Sequence, residues 1–125
     1  MSIAHQDFLA YSNSEIRSID LSEFKIRNAA SRAYYALYHK ARKRLEELGI
    51  PLENTPNEGS HSALIATLCR ISPKAKSIST EMNKLKRFRH TCDYDLQATV
   101  DLSRVRVHIA EVERLISMLD RVERL

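Results

Sequence analysis

Apolar side chains recur along most of this chain at steps of three and four residues, the spacing that stacks them on one face of an α-helix. The clearest series are Ile26, Ala30, Ala33, Leu37, Ala41, Leu45 and Leu48 in the first half, and Leu102, Val105, Ile109, Val112, Ile116 and Leu119 near the end. Between them, Leu64, Ile65 and Leu68 mark a shorter helix at about His61 to Ile71, and Ala75, Ile78, Met82, Leu85 and Cys92 mark a longer one. A less regular stretch from Ile3 to Ile16 offers Ile3, Phe8, Leu9 and Ala10 as core contacts.

Local stop and start signals agree with this division. Asp20 and Glu23 have the spacing of a capping box and open a second helix that runs to Leu48. Gly49 stands where a left-handed residue ends a helix, and Pro51 blocks continuation. The stretch from Gly49 to Ser60, GIPLENTPNEGS, is the one long loop expected. Ser72 followed by Pro73 pre-sets the start of the fourth helix, and the last helix is expected over about Thr99 to Arg124. The pattern predicts an all-α fold, an antiparallel bundle of four to five helices forming a single domain over residues 1–125. Two glycines, three prolines and no tryptophan argue against many strands and tight turns. A chain of 125 residues buries roughly two-thirds of its unfolded surface without a covalent staple.

Charge narrows the partners only slightly. The net charge is +4, but 16 acidic residues are interspersed among 20 basic ones, a balance that permits an RNA partner without requiring one. Cys69 and Cys92 lie far apart and outside any CxxC or Cys/His ligand spacing, so both read as core thiols and no metal or other cofactor is expected. The first residues lack a basic-then-apolar leader pattern, and nowhere do about eighteen apolar residues run together. A cytoplasmic location without a membrane partner is the expectation.

Two groups of residues carry candidate chemistry. On the second helix Asn28, Arg32, Tyr35 and His39 fall at four- and three-residue spacing, a polar and aromatic stripe suited to phosphate and base contacts or to a solvated face. On the fourth, Arg89 takes a position in the apolar series between Leu85 and Cys92. A guanidinium aimed at a core must find an acidic partner, an interface or a ligand, and Asp93 lies one turn onward. Lys84, Lys86 and Arg87 form a short basic run beside it.

The segment NAASRAYYALYHKARKRL, Asn28 to Leu45, together with LKRFRHTCDYDL, Leu85 to Leu96, resembles the HEPN proteins. One branch of that family carries a SRAYYA-type second helix and an R-x-x-x-D-Y motif in the fourth, here Arg89, Asp93 and Tyr94. His61 fits the histidine often found before that branch's third helix. The resemblance implies a helix bundle that pairs as a homodimer through the motif faces. It also implies RNA-directed activity: many relatives are metal-independent ribonucleases, often toxins held by a nucleotidyltransferase-like antitoxin.

The chain departs from the family's catalytic signature, an arginine followed after four to six residues by a histidine. Counting from Arg89, that position holds Tyr94, while His90 follows directly and lies about 100° around the helix. Metal-independent RNA cleavage needs one group to deprotonate the 2'-hydroxyl and another to protonate the leaving oxygen, work for which imidazole suits and phenol does not. Three readings follow. The first is a ribonuclease or toxin with Arg89 as phosphate clamp, His90 or His39 as acid or base, and Asp93, Tyr94 and Arg32 in supporting roles. The second is a non-catalytic HEPN module binding nucleotide, RNA or a partner protein. The third is a structural dimer in which Arg89 and Asp93 form an interface ion pair.

Overall fold

The computed structural model describes residues 3–17, 22–53 and 59–124, and these form five helices with no strand among them. Helix α1, His5–Ile16, begins where the Asp7 carboxylate accepts the Ala4 backbone N–H at 2.8 Å. Helix α2, Glu23–Glu47, is capped by Ser22, whose hydroxyl accepts the Lys25 N–H. The expected box therefore does not open this helix: Asp20 lies outside the described residues, and the Glu23 carboxylate accepts the Val100 N–H at 3.0 Å instead. At its other end Gly49 adopts φ +69°, and the Ile50 and Gly49 amides return to the Leu45 and Glu46 carbonyls at 2.9 and 3.0 Å. This paired closure is the Schellman arrangement, and it needs the left-handed residue that glycine supplies.

Helix α3, Ser60–Cys69, precedes α4, Pro73–Tyr94, where the Ser72 hydroxyl accepts the Ala75 N–H and Pro73 occupies the first turn. Helix α5 covers Leu102–Leu119. It starts three residues after the expected Thr99, because the Asp101 carboxylate takes the cap by accepting the Arg104 N–H at 2.8 Å, and it ends at Leu119 rather than Arg124.

Long α2 is the central element, packing against α1, α4 and α5, while α3 lies chiefly on α4. Its apolar stripe is buried as expected from Ile26 to Leu45, with Ala29, Ala30, Ala33 and Ala41 fully enclosed. Small side chains there let neighbouring helices approach closely. Contacts fix the directions: Ser12 meets Ala29 while Phe8 meets His39, so α1 and α2 run antiparallel. Arg27 meets Thr91 while Tyr34 lies by Arg89, so α4 also opposes α2. Helix α5 runs with α2, since Ala30 faces His108 and Lys40 pairs with Asp120. The neighbouring pairs α1/α2 and α4/α5 are therefore antiparallel, whereas α3, joined to α4 by a short link and meeting it at Ser62 and Lys86, runs with α2. None of the helices in the described residues is long and apolar enough to cross a membrane.

Some expected core positions lie elsewhere. Ile3, just before α1, and Ala10 within it are exposed, Phe8 and Leu9 are half-buried, and the fully buried residue of α1 is Ser12, whose hydroxyl donates to the Ala29 carbonyl at 2.6 Å. Of the thiols, Cys92 is in the core but Cys69 is exposed at the end of α3.

The sequence pattern did not single out Arg27, which is buried beside Ile26. Its guanidinium donates to the carbonyls of Thr91, Cys92, Asp95 and Ala98, and to the Glu23 carboxylate. The first three bonds measure 3.1, 3.2 and 2.9 Å. Arg27 thus adds donors to carbonyls at and just beyond the end of α4, two of which, those of Thr91 and Asp95, also accept backbone N–H groups, and it places positive charge at the negative end of that helix. A second buried polar group, His108, presents Nε2 to the Ala30 carbonyl at 2.9 Å and packs its ring on Phe88. Burial first, and Arg104 after it, outweigh that hydrogen bond and push its pKa down to about 4.

Replacing Arg27 with Ala removes a donor from four carbonyls, the Cys92 one in the core, and breaks the pair with Glu23, and is expected to cost about 3 kcal/mol in urea unfolding; a loss below about 1 kcal/mol would mean the loop finds other donors. For His108 the sign is fixed by its depressed folded value. The unfolded chain binds its proton near 6.5 and the folded chain only near 4, so the stability present above pH 6.5 declines as pH falls toward 4. The decline from this residue should reach about 3 kcal/mol and flatten in His108→Gln, which keeps a donor without titrating. An unchanged pH profile in that variant would refute the assignment.

Candidate functional site

Where α2, α3 and α4 meet, the fold gathers a polar cluster walled by aromatic rings. Helix α2 presents Ser31, Tyr34, Tyr35 and Tyr38, the first turn of α3 presents His61, and the last turns of α4 present Arg89 and Asp93. Arg89 is 8% exposed, and its guanidinium lies 5.4 Å from the Tyr34 ring centroid and 5.7 Å from that of Tyr35. Such aromatic faces attract a cation, though less strongly than an anion does. The anion is Asp93, whose carboxylate accepts from Arg89 at 3.3 Å and from the Ser31 hydroxyl at 3.1 Å. Arg89 Nε is buried and has no hydrogen-bond partner among the described residues. A desolvated guanidinium with an unmet donor is a costly feature for a core and a useful one for a ligand.

His61 stands against the same rings, 4.1 Å from the Tyr38 centroid and 5.5 Å from that of Tyr34, with Nδ1 at 3.2 Å from the Tyr34 hydroxyl. Burial, then the positive charges of Arg89 and Lys86, push its pKa down to about 4. Burial likewise raises the Tyr34 phenol, against the opposing pull of Arg89. At neutral pH the cluster therefore holds a neutral phenol and a neutral imidazole beside a guanidinium and a carboxylate. Arg89 can bind an oxyanion, and the unprotonated His61 is in the form that accepts a proton.

Of the residues expected from sequence, Arg89 and Asp93 form the ion pair that their spacing suggested. His90 and Tyr94 do not join them. They lie on the exposed side of α4 with their rings 4.7 Å apart, as the helical rotation from Arg89 requires. The stripe on α2 is divided. Tyr35 reaches the cluster, with the Arg32 guanidinium 5.5 Å from its ring. Asn28 donates to the Tyr11 hydroxyl at 2.9 Å, and His39 stacks on Phe8 at 5.0 Å, so α1 touches both ends of this face, while Arg32 and His39 stay exposed. Burial and nearby Arg42 lower the His39 pKa.

Ser31, Tyr34 and Tyr38 were not selected as site residues, although their three- and four-residue spacing places them on a single line of α2. His61 was visible only through its place before the third helix. Among the described residues no group of three or more His, Cys, Asp or Glu side chains is arranged to hold a metal ion. A scan against protein-family models finds no match for the chain, and a search of curated proteins finds no relative.

Replacing Arg89 with Gln removes the second largest cause of the low His61 value, so the His61 ring should titrate at a higher pH. Histidine resonances followed by NMR across a pH series check this. An unmoved His61 would show that the two side chains are not electrostatically coupled.

Proposed function

We propose that this chain is an HEPN-like, RNA-directed protein whose binding centre is the Arg89–His61 cluster. The observation that carries the reading is Arg89 itself: a buried guanidinium, flanked by two tyrosine rings, with Nε unpartnered. Phosphate would replace or share Asp93 as its counter-ion, and the tyrosine and histidine rings suit an unstacked base. In the catalytic form of this reading, a metal-independent endoribonuclease, the imidazole that shares the tyrosine rings and the field of Arg89 is His61, while His90 lies on the exposed side of α4. A bound phosphate would also raise the low His61 pKa toward the range that base catalysis uses.

A non-catalytic binding module is the second reading. It is favoured by the separation of His90 and Tyr94 from Arg89, which leaves the expected arginine–histidine arrangement unformed within one chain. The homodimer implied by the resemblance belongs to the same proposal. Phe24, Tyr94 and Leu96, exposed by 80, 66 and 82%, supply apolar surface at the start of α2 and the end of α4, next to the motif face. A nucleotidyltransferase-like antitoxin would be a partner of the toxin form.

Incubation of the wild type and Arg89→Ala with mixed RNA in EDTA distinguishes the forms. Cleavage by the wild type, reduced at least about a hundredfold by the substitution, is expected of the endoribonuclease. RNA retention without cleavage, weakened in the variant, supports the binding module. Neither cleavage nor retention by a folded wild type would reject the RNA-directed function.

A further inference from the structure

Beside the cluster, α3 and α4 enclose an open groove of about 420 Å³. Ser62 and Cys69 line it from α3, and Asn83, Lys84, Lys86 and Arg87 from α4, with no carboxylate among its lining residues. Two of the cations are weakly engaged. Lys84 meets Glu81 in an exposed pair at 3.3 Å, a kind of contact that contributes little, and Arg87 forms no ion pair among the described residues. Lys86 spans the groove and donates to the Ser62 hydroxyl at 3.0 Å. Its charge is also felt by His61, so the groove and the cluster adjoin.

We propose that this groove holds the sugar-phosphate backbone of a single-stranded RNA whose neighbouring nucleotide enters the Arg89–His61 cluster. The inference rests on the RNA-directed reading and names the surface that reading lacks. Three cations within about 4.5 Å of helix rise match adjacent phosphates of one strand rather than a long tract of duplex. Asn83 and Ser62 add polar groups for sugar and phosphate oxygens, and the one carboxylate beside the groove among the described residues, Glu81, is paired with Lys84. Pyrimidine or purine selection is left to the tyrosine and histidine rings, because backbone contacts position a strand without reading it.

The test is fluorescence anisotropy with a short labelled single-stranded RNA, comparing wild type with Lys84→Gln/Arg87→Gln across a salt series. Both replaced side chains are exposed, so the fold should be kept. The double variant is expected to bind about tenfold more weakly and to lose about 1.4 from the slope of log affinity against log salt, as removal of two single-strand phosphate contacts requires. Cys69 adds an internal reporter. Cys92 is buried and its thiol is pushed up to about 11, so maleimide should label Cys69, and RNA should slow that labelling.

RNA binding that is unchanged in the double variant, with Cys69 unprotected, overturns the groove and leaves the RNA-directed reading intact. Displacement of the RNA by polyglutamate at equal charge concentration also overturns it, in favour of an acidic protein partner. Failure of the wild type to bind RNA removes both.

Discussion

A guanidinium withdrawn from water is costly unless its donors are met, and Arg27 meets them by reaching from α2 to the C-terminal end of α4. That single side chain joins the last turn of one helix to the loop that feeds the next, while Glu23 holds both the guanidinium and the Val100 amide. The bonds run mostly to backbone carbonyls. Their geometry therefore depends on the chain path from Thr91 to Ala98, and the path in turn depends on them. Without this clamp the carbonyls would turn to water, and the entry into α5 would lose its fixed direction.

The position of the cluster follows from that attachment. Arg89 and Asp93 flank the clamped carbonyls of Thr91 and Cys92, so anchoring those carbonyls to α2 also sets Arg89 against Tyr34 and Tyr35. Two arginines on facing helices play opposite parts. Arg27 has carbonyls and a carboxylate around it, whereas Arg89 keeps one unmet donor within an aromatic setting. Strain of this kind is tolerated where the surrounding packing over-determines a side chain, and α2's fully enclosed alanines and Leu37 provide such packing.

Much of the architecture was legible because helical burial writes a period into the sequence. Ile26 to Leu45 and Val105 to Leu119 declare their buried faces, and Ser72–Pro73 and Gly49 declare helix ends through local chemistry. Arg27 left no such mark, since its partners are carbonyls more than sixty residues away and every residue type carries a carbonyl. Helix α1 was the least regular in pattern, and its contacts with Asn28 and His39 could not be read from α2 alone. Arg89 and Asp93 were found because one broke an apolar series and the other stood one turn away. His61 joins them across a loop whose length gives no register, so periodicity could not bring it to Tyr34.

Consecutive residues of α2 also carry an unusual pair of acceptors: the Ala29 carbonyl takes the Ser12 hydroxyl from α1, and the Ala30 carbonyl takes the His108 ring from α5. Both carbonyls belong to the interior of a helix and already serve its ladder, so these are second bonds to oxygens with two lone pairs. They act as pegs. Sliding α1 or α5 by one turn would keep apolar against apolar but strand a buried donor. Oil-like packing alone would permit several alignments of these helices, whereas two small polar contacts at one level of the bundle select a single one.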